Sequence, residues 1–237
     1  MMPKMSVIIP TLNEAKRLPK CLASLKAQSF GDYEAVIVDS GSRDGTVEIA
    51  RELGARVAFE PRLGFAVAKN TGAKASKSGI LVFTDGDATH PPFWLERIAR
   101  HFEDESVVAV IGPVKPVEQK LLHKAMFKLT TNWIPRLLAA FHFYVAQAPN
   151  QAFRRGAFEK AGGYDERLRM LEDNELPNRI KREGKVVFDP ALYAFVSARR
   201  FEKEGYAAAT WRFLSAYWKI YVKKEAAAEN YPLYHEK

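Results

Sequence analysis

Asp85 and Asp87 stand two residues apart in the stretch ILVFTDGDA, where the apolar run from Ile80 to Thr84 delivers both carboxylates into one tight turn. A run of that kind reads as a strand buried on both faces of a parallel sheet, and such sheets bind ligands just beyond the carboxyl ends of their strands. Carboxylate oxygens suit Mg²⁺ or Mn²⁺, and an ion kept by only two of them fills its other sites with water and substrate phosphates. The residue types therefore point to a metal site formed by Asp87 and Asp85 and to a diphosphate-bearing substrate. The competing explanation is structural: Asp-Gly is a common turn pair, and Asp87 can cap the helix expected from Pro91.

Two more loops end early strands with polar groups. Pro10-Thr11-Leu12-Asn13-Glu14 follows the first strand, and Asp39-Ser40-Gly41-Ser42 follows the second. Brought to one sheet edge, these groups can grip a nucleotide, with Asp39 accepting from a base N–H and the loop from Thr11 to Glu14 offering backbone contacts. Taken singly they read as helix caps, Asn13 and Asp44 above all. PTLNEA contains no glycine, so the Gly-x-Gly-x-x-Gly turn of a nicotinamide site is missing. A later acidic group, Glu172, Asp173 and Glu175 in LEDNELPNRI, opens a helix. Either Glu172 or Asp173 can act as a general base opposite the nucleotide, or all three can simply complement the helix dipole.

The elements that must position these groups alternate strand and helix. Strands are expected at Met5 to Pro10, Tyr33 to Asp39, Arg56 to Glu60 and Ile80 to Thr84, with helices at Glu14 to Gln28, Asp44 to Leu53 and Ala66 to Ser76. A helix near Pro92 to Phe102 and a strand at Val107 to Ile111 follow. From about Val114 the chain turns to longer aromatic-rich helices with isolated strand candidates at Gln151 to Arg154, Val186 to Asp189 and Tyr193 to Ser197. We expect one α/β domain over residues 1–237, made of a nucleotide-binding half (1–113) and an acceptor half (114–237), with a loose end from Glu225 to Lys237.

The chain has 237 residues, ample for a buried core, and 36 Lys and Arg against 28 Asp and Glu give a net charge of +8. That excess favours anionic partners. No zinc spacing, RNA-binding aromatic signature or long basic tail accompanies it, so no nucleic-acid partner is expected. A single cysteine, Cys21, excludes an internal disulfide, suits packing in the first helix and fits the cytosol. The apolar stretch Val7 to Ile9 is too short for a secretory signal, and the charge-free run from Leu137 to Phe153 is too interrupted for a spanning helix.

Together SVIIPTLNEA, VDSGSRDGT, FTDGDA, GGYDERLRMLEDNELPNRI and SARRFEKEG resemble, in order over roughly residues 5 to 205, the family 2 inverting glycosyltransferases of the GT-A fold. The resemblance implies a mostly parallel, Rossmann-like sheet flanked by helices with a helix-rich acceptor half. It further implies a hexosyltransferase that uses a nucleotide-sugar donor (a UDP- or GDP-sugar), a divalent metal at the Asp-x-Asp motif, and direct displacement by an acceptor hydroxyl. By position, Asp39 would hold the base and Pro10, Thr11, Asn13, Glu14 and Ser40 would line the nucleotide pocket. Asp85 and Gly86 would lie near ribose and sugar, and Asp87 would bind metal. Lys69 and Asn70 stand where the family usually carries an Arg-Asn pair near the donor, a departure that changes the bidentate contact. Asp173 resembles the catalytic base, with Glu172 beside it, and Arg199 and Arg200 resemble a basic pair that closes over the diphosphate.

Lys120, Lys124 and Lys128 form an i, i+4 stripe beside Leu121, Leu122, Ala125, Met126, Leu129 and Trp133, with Pro135 expected to interrupt that helix. The segment from Trp211 to Tyr221 mixes Trp, Tyr, Phe and Leu with Arg212 and Lys219. Both patterns fit helices lying on an anionic membrane surface, which a polyprenyl-phosphate or lipid-linked acceptor would suit, and both also fit core-packing helices with solvated lysines. The rival function is a phosphatase, since LVFTDGDAT also reads as a strand followed by Asp-x-Asp-x-Thr with Asp85 as the phosphoryl-accepting nucleophile. Three strands with polar loops of their own precede it, which is not how such a domain opens.

Overall fold

Apolar runs that cannot tolerate water on either face end up in the middle of the molecule. In the computed structural model, which describes residues 3–118, 120–199 and 204–223, β1 (Met5–Thr11) and β4 (Ile80–Phe83) are buried at every position. Seven strands form one sheet in the order β3-β2-β1-β4-β7-β5-β8, with β2 at Tyr33–Asp39, β3 at Arg56–Phe59, β5 at Val107–Ile111, β7 at Gln151–Arg154 and β8 at Lys185–Phe188. All neighbours pair in parallel except at β7, which is antiparallel to both β4 and β5. The carboxyl ends of β1, β2 and β4 therefore share one edge, with Thr11 beside Asp39 and Ile8 beside Phe83.

Alternate residues of each strand serve opposite faces. Val7, Ile9, Ile37 and Val82 pack with Leu18, Cys21, Leu22 and Trp94, from α1 (Leu18–Lys26) and α4 (Trp94–His101). Ile8, Val38, Leu81 and Phe83 pack with Ala68, Phe158, Leu176 and Ile180, from α3 (Phe65–Ala75), α7 (Arg155–Lys160) and α8 (Glu172–Ile180). The remaining helix of the first half, α2 (Thr46–Glu52), sends Ala50 into the first of these cores. Gly72 fixes how closely α3 lies on the sheet: a Cβ there would meet Ile8 Cγ2 at 2.3 Å and Val38 Cγ2 at 2.8 Å. One turn earlier on the same helix sit Lys69 and Asn70.

Three expectations change. The first helix begins at Leu18 rather than Glu14: the N–H groups of residues 13–15 bond across to the second loop, and a turn in which Glu14 O accepts from Arg17 N and Leu18 N leads into the helix. The later strands are not isolated: β7 and β8 complete the main sheet, and β9 (Ala194–Val196) pairs with β6 (Val114–Pro116) in a two-stranded ribbon. Pro135 does not end its helix. α5 (Leu121–Phe127) continues through a π-turn (Lys128–Trp133) into α6 (Ile134–Ala140), with Pro135 in the first turn of α6. A proline ring crowds the carbonyl four residues back and brings no N–H, and the wider turn just before it relieves that clash. A further helix, α9 (Tyr206–Tyr217), closes with a second π-turn (Trp218–Val222). Residues 225–237 lie outside the described residues.

Candidate active site

The first two loops are bonded to each other. Asn13, held at φ 55°, ties the loops twice: its N donates to Ser42 Oγ at 2.9 Å, while its Oδ1 accepts from Arg43 N. Glu14 N donates to Thr46 Oγ1 and Ala15 N to Asp44 Oδ2. Asn13 is therefore a cross-loop tie and not a helix cap. Asp44 lies one residue before the cap of α2, which is Gly45. Asp39 is buried, and its carboxylate accepts from Gly41 N, Ser42 N and Ser42 Oγ, with Thr11 Oγ1 at 3.4 Å. Ser40 N donates to Thr11 O. Pro10 sits inside β1 opposite Val38.

Gly86 seats the acidic turn on this frame, since a Cβ there would come within 3.3 Å of Thr11 Cγ2 and 3.4 Å of Glu14 Cγ. Asp85 Oδ1 is shielded from solvent and has no hydrogen-bond partner. Loss of water raises its pKa to about 7, with Asp87, Glu172 and Asp173 adding to the rise and Lys69 opposing it. Asp87 faces outward and meets Arg199, Nη2 to Oδ2 3.1 Å, in a pair that stays partly exposed. Burial, and then Asp87, also raises the pKa of Glu14.

The second acidic group comes to the same place. Leu171, just before α8, holds a left-handed backbone at φ 61°, a conformation that costs a branched residue about 1–2 kcal/mol; it is kept there by packing with Met170 and Ala216. Glu172 Oε1 then reaches Lys69 Nζ at 2.9 Å, in a pair whose side chains are 0% (Lys69) and 8% (Glu172) exposed. The Lys69 ammonium also lies 4.9 Å from the Tyr164 ring centroid. Burial works against that charge, but Glu172, Asp173 and Asp85 together hold the Lys69 pKa above its usual value. Asp173 has its pKa raised to about 7 by burial and by Glu172, against Lys69 and the bond that Asn174 Nδ2 donates to its Oδ1 at 2.9 Å. Lys69 thus stands between the strand-end acid and the helix-start acids, and one buried cation links the two motifs.

The sequence profile of Glycosyl transferase family 2 matches residues 6–162. The chain belongs to glycosyltransferase family 2. A PGL/p-HBAD biosynthesis glycosyltransferase of Mycobacterium bovis BCG is 33% identical over 186 residues, covering 72% of this chain and 67% of its own length. Glycosyltransferase AglE of Haloferax volcanii is 40% identical over 122 residues, 48% of this chain and 40% of that one. Among solved structures, S. aureus TarS 1–349 in complex with UDP-GlcNAc aligns with a TM-score of 0.67 at 21% identity, covering 83% of this chain and 59% of that one. Mannosyltransferase PcManGT from Pyrobaculum calidifontis, in complex with GDP-Man and Mn²⁺, aligns at 0.67 and 23%, covering 91% and 61%. These likenesses identify the sheet and its flanking helices as the GT-A fold, and the chain spans 40% of the length of AglE, 59% of the TarS 1–349 chain and 61% of the PcManGT chain.

Within this family 2 site, Thr11, Asn13, Glu14, Asp39, Ser40, Asp85, Gly86, Asp87 and Arg199 gather at one edge, and Lys69, Glu172 and Asp173 back it. Asn70 does not join them. Its amide is spent on Tyr164, accepting from N and donating to O at 2.9 Å each, with Glu166 at 3.1 Å. It holds the approach to α8. Arg200 lies outside the described residues. Sequence reasoning missed Tyr164, Asn174 and Tyr217; the signal for Asn174 was its place beside Asp173, while the other two carry none. A cleft of about 370 Å³ near Tyr33, Glu34 and Arg56 opens at the opposite end of the strands and holds none of these groups.

Proposed function

We propose that the chain is an inverting glycosyltransferase that moves a sugar from a nucleotide-diphosphate-sugar to an acceptor hydroxyl or a lipid-linked phosphate, in the cytosol or on the cytosolic face of a membrane. The observation that carries this reading is the partnerless, water-shielded Oδ1 of Asp85, two residues from Asp87 and joined through Lys69 to the helix bearing Asp173. A buried carboxylate oxygen without a donor is costly unless a ligand completes it. Four carboxylates (Asp85, Asp87, Glu172 and Asp173) against Lys69 and Arg199 leave the site short of positive charge, which suits Mg²⁺ or Mn²⁺. Among the described residues no three His, Cys, Asp or Glu converge to cage an ion, so Asp85 and Asp87 would hold one together with substrate phosphates. Bound there, it supplies neutralisation of the charge that builds on the departing diphosphate.

The chain's own residues do the rest. Asp173 takes the proton of the acceptor hydroxyl as that oxygen forms its bond to the anomeric carbon. The sugar–phosphate C–O bond breaks on the opposite face, its electron pair leaves with the nucleoside diphosphate, and the anomeric configuration inverts. Arg199 exchanges Asp87 for the diphosphate and steadies its charge. Asp39, anchored by its own loop, is the residue that would accept from a base N–H. The donors named for TarS and PcManGT, UDP-GlcNAc and GDP-Man, support a nucleotide-sugar while differing in both base and sugar. Family membership removes support from the phosphatase alternative, in which Asp85 would become an acyl-phosphate. Calorimetric titration with UDP, GDP and dTDP, each with and without Mn²⁺, tests the reading: one diphosphate should bind in a metal-dependent way, and Asp87→Ala should weaken it by about 3 kcal/mol. Undiminished affinity in excess EDTA would overturn it.

A further inference from the structure

From Leu121 to Ala140 the chain is one helical ribbon, α5, π-turn and α6. Its buried residues are His123, Phe127, Thr131 and Pro135, four apart each time, so the ribbon touches the protein along a stripe one residue wide. A four-residue repeat does not stay on one side of an α-helix, because 3.6 residues per turn carry it steadily around the axis; the wider i→i+5 turn carries it back. Setting a π-turn between two α segments therefore keeps the repeat straight along the whole ribbon.

The same register sorts the remaining side chains. Lys124, Lys128 and Arg136 follow one position after the buried stripe, and all are exposed. Leu129, Trp133 and Leu137 fall two positions after it and Leu121 (83% exposed) two before its first member, on the side opposite the protein, and Phe141 (75%) follows just past α6. Beside the ribbon lies α9. His123 Nδ1 and Tyr206 Oη are 2.5 Å apart at one end, and the Phe143 ring meets Tyr217 and Tyr221 at 6.4 and 5.6 Å at the other. Its outward residues Trp211 (74% exposed), Leu214 and Trp218 add to the apolar surface. Lys128 Nζ sits 5.1 Å from the Trp133 ring centroid and Lys223 Nζ 5.9 Å from that of Trp218.

Soluble surfaces rarely leave so many large apolar groups contiguous. Charge selects what covers them. The core of a protein–protein contact is depleted of lysine, whereas a helix in a lipid interface combines Leu, Trp and Phe on one side with Lys and Arg snorkelling at its margin. The net charge of +8 adds attraction to anionic headgroups. We infer that the α5–α6 ribbon and α9 lie together on an anionic lipid membrane. Where the inference touches catalysis it rests on the proposed transferase reading: the inner side of α9 sends Tyr217 Oη to Asn174 Oδ1 and Tyr221 Oη to Asn174 O, beside Asp173. An acceptor hydroxyl carried at the bilayer surface would then meet the base without leaving the lipid.

Flotation of the full chain with vesicles of phosphatidylcholine alone, or mixed with phosphatidylglycerol, is the test. The chain should float with the mixed vesicles at low salt, less at high salt, and little with phosphatidylcholine alone. K124E/K128E/R136E should lower the partition coefficient at least about a hundredfold, and W133S/L137S/W211S should lower it at every salt concentration. These positions are exposed, and an unchanged urea midpoint would certify the fold. A chain that stays in the supernatant at low salt, or variants that float like the parent, would overturn the inference. So would self-association in sedimentation velocity that the serine variant abolishes, since the surface would then belong to a second copy. Diphosphate titration on the same samples separates the two readings: vesicle binding without nucleotide binding sinks the donor site alone, and the converse sinks the membrane face alone.

Discussion

Asp85 and Asp87 end a strand, and Glu172 and Asp173 begin a helix, yet the two pairs are built on one plan. In each, one member meets a cation, Arg199 for Asp87 and Lys69 for Glu172. The other member, Asp85 or Asp173, has its pKa raised to about 7 by burial. The difference lies in the cations. Arg199 and Asp87 keep 23% and 25% of their side chains exposed, and an ion pair in that setting contributes no more than about 1 kcal/mol, so it opens at little cost. Lys69 and Glu172 are shut away, where losing one partner costs about 3–5 kcal/mol. One pair is half open to solvent and the other is closed, and in each the carboxylate whose pKa is raised to about 7 is the one without a cation in direct contact.

The sharpest way to break this comparison is to remove the reactive member on the helix side. Asp173→Asn should keep diphosphate binding and lose transfer by about 10²- to 10⁴-fold, the range for a lost general base. Glu172→Gln is the control: if it abolishes transfer while Asp173→Asn runs at the parental rate, the base is Glu172 and the plan is reversed. On the closed pair, Lys69→Met should lower the unfolding free energy by about 3–5 kcal/mol in urea titrations, because Glu172 stays buried without its cation. Lys69→Arg, which keeps the charge, should lose less; equal losses would assign the effect to volume and not to charge.

Protonation offers a smaller, continuous probe. A base must be deprotonated to act, and the pKa of Asp173 is about 7, so kcat at saturating metal and donor should rise about tenfold per pH unit below that value and level off above it. Lys69→Met removes the charge that opposes the rise, and in it the midpoint should move toward alkaline pH. A profile flat from pH 5 to 9 would mean that proton removal does not limit the reaction.

The strand side of this plan was legible in the sequence, and the helix side only in part. Ile80 to Thr84 and Val36 to Val38 announce themselves because burial on both faces demands continuous apolar runs, and the polar loops at their ends share an edge once the strands are parallel. Nothing local marks β7 as the antiparallel strand between β4 and β5, since pairing partners are chosen by the whole sheet. The ion partner of Lys69, Glu172, lies 103 residues away, so no local pattern reveals it. The bonds of the Asn70 amide to Tyr164, 94 residues on, are hidden from the sequence for the same reason. The basic stripe at Lys124 and Lys128 was visible, but the π-turn that carries the repeat past Pro135 depends on how the ribbon packs.

The mildest perturbation tests whether the helix-side acid is also tuned from outside its own helix. Asn174 Nδ2 donates to Asp173 Oδ1, while Asn174 Oδ1 accepts from Tyr217 Oη at 2.5 Å and from Ala146 N at 3.1 Å. Tyr217 is therefore a positioning residue: it fixes the amide, and the amide stabilises the ionised carboxylate. Tyr217→Phe removes one hydrogen bond of a kind that contributes about 0.5–1.5 kcal/mol and leaves the bond from Ala146 in place. With the amide less firmly held, its bond to the carboxylate weakens, the pKa of Asp173 rises, and the midpoint of the kcat–pH profile should shift to higher pH by a few tenths of a unit while diphosphate affinity stays as it was. Loss of stability with an unmoved midpoint would reduce Tyr217 to packing. A shifted midpoint would extend the comparison to α9, the same helix whose outer side carries Trp211 and Trp218.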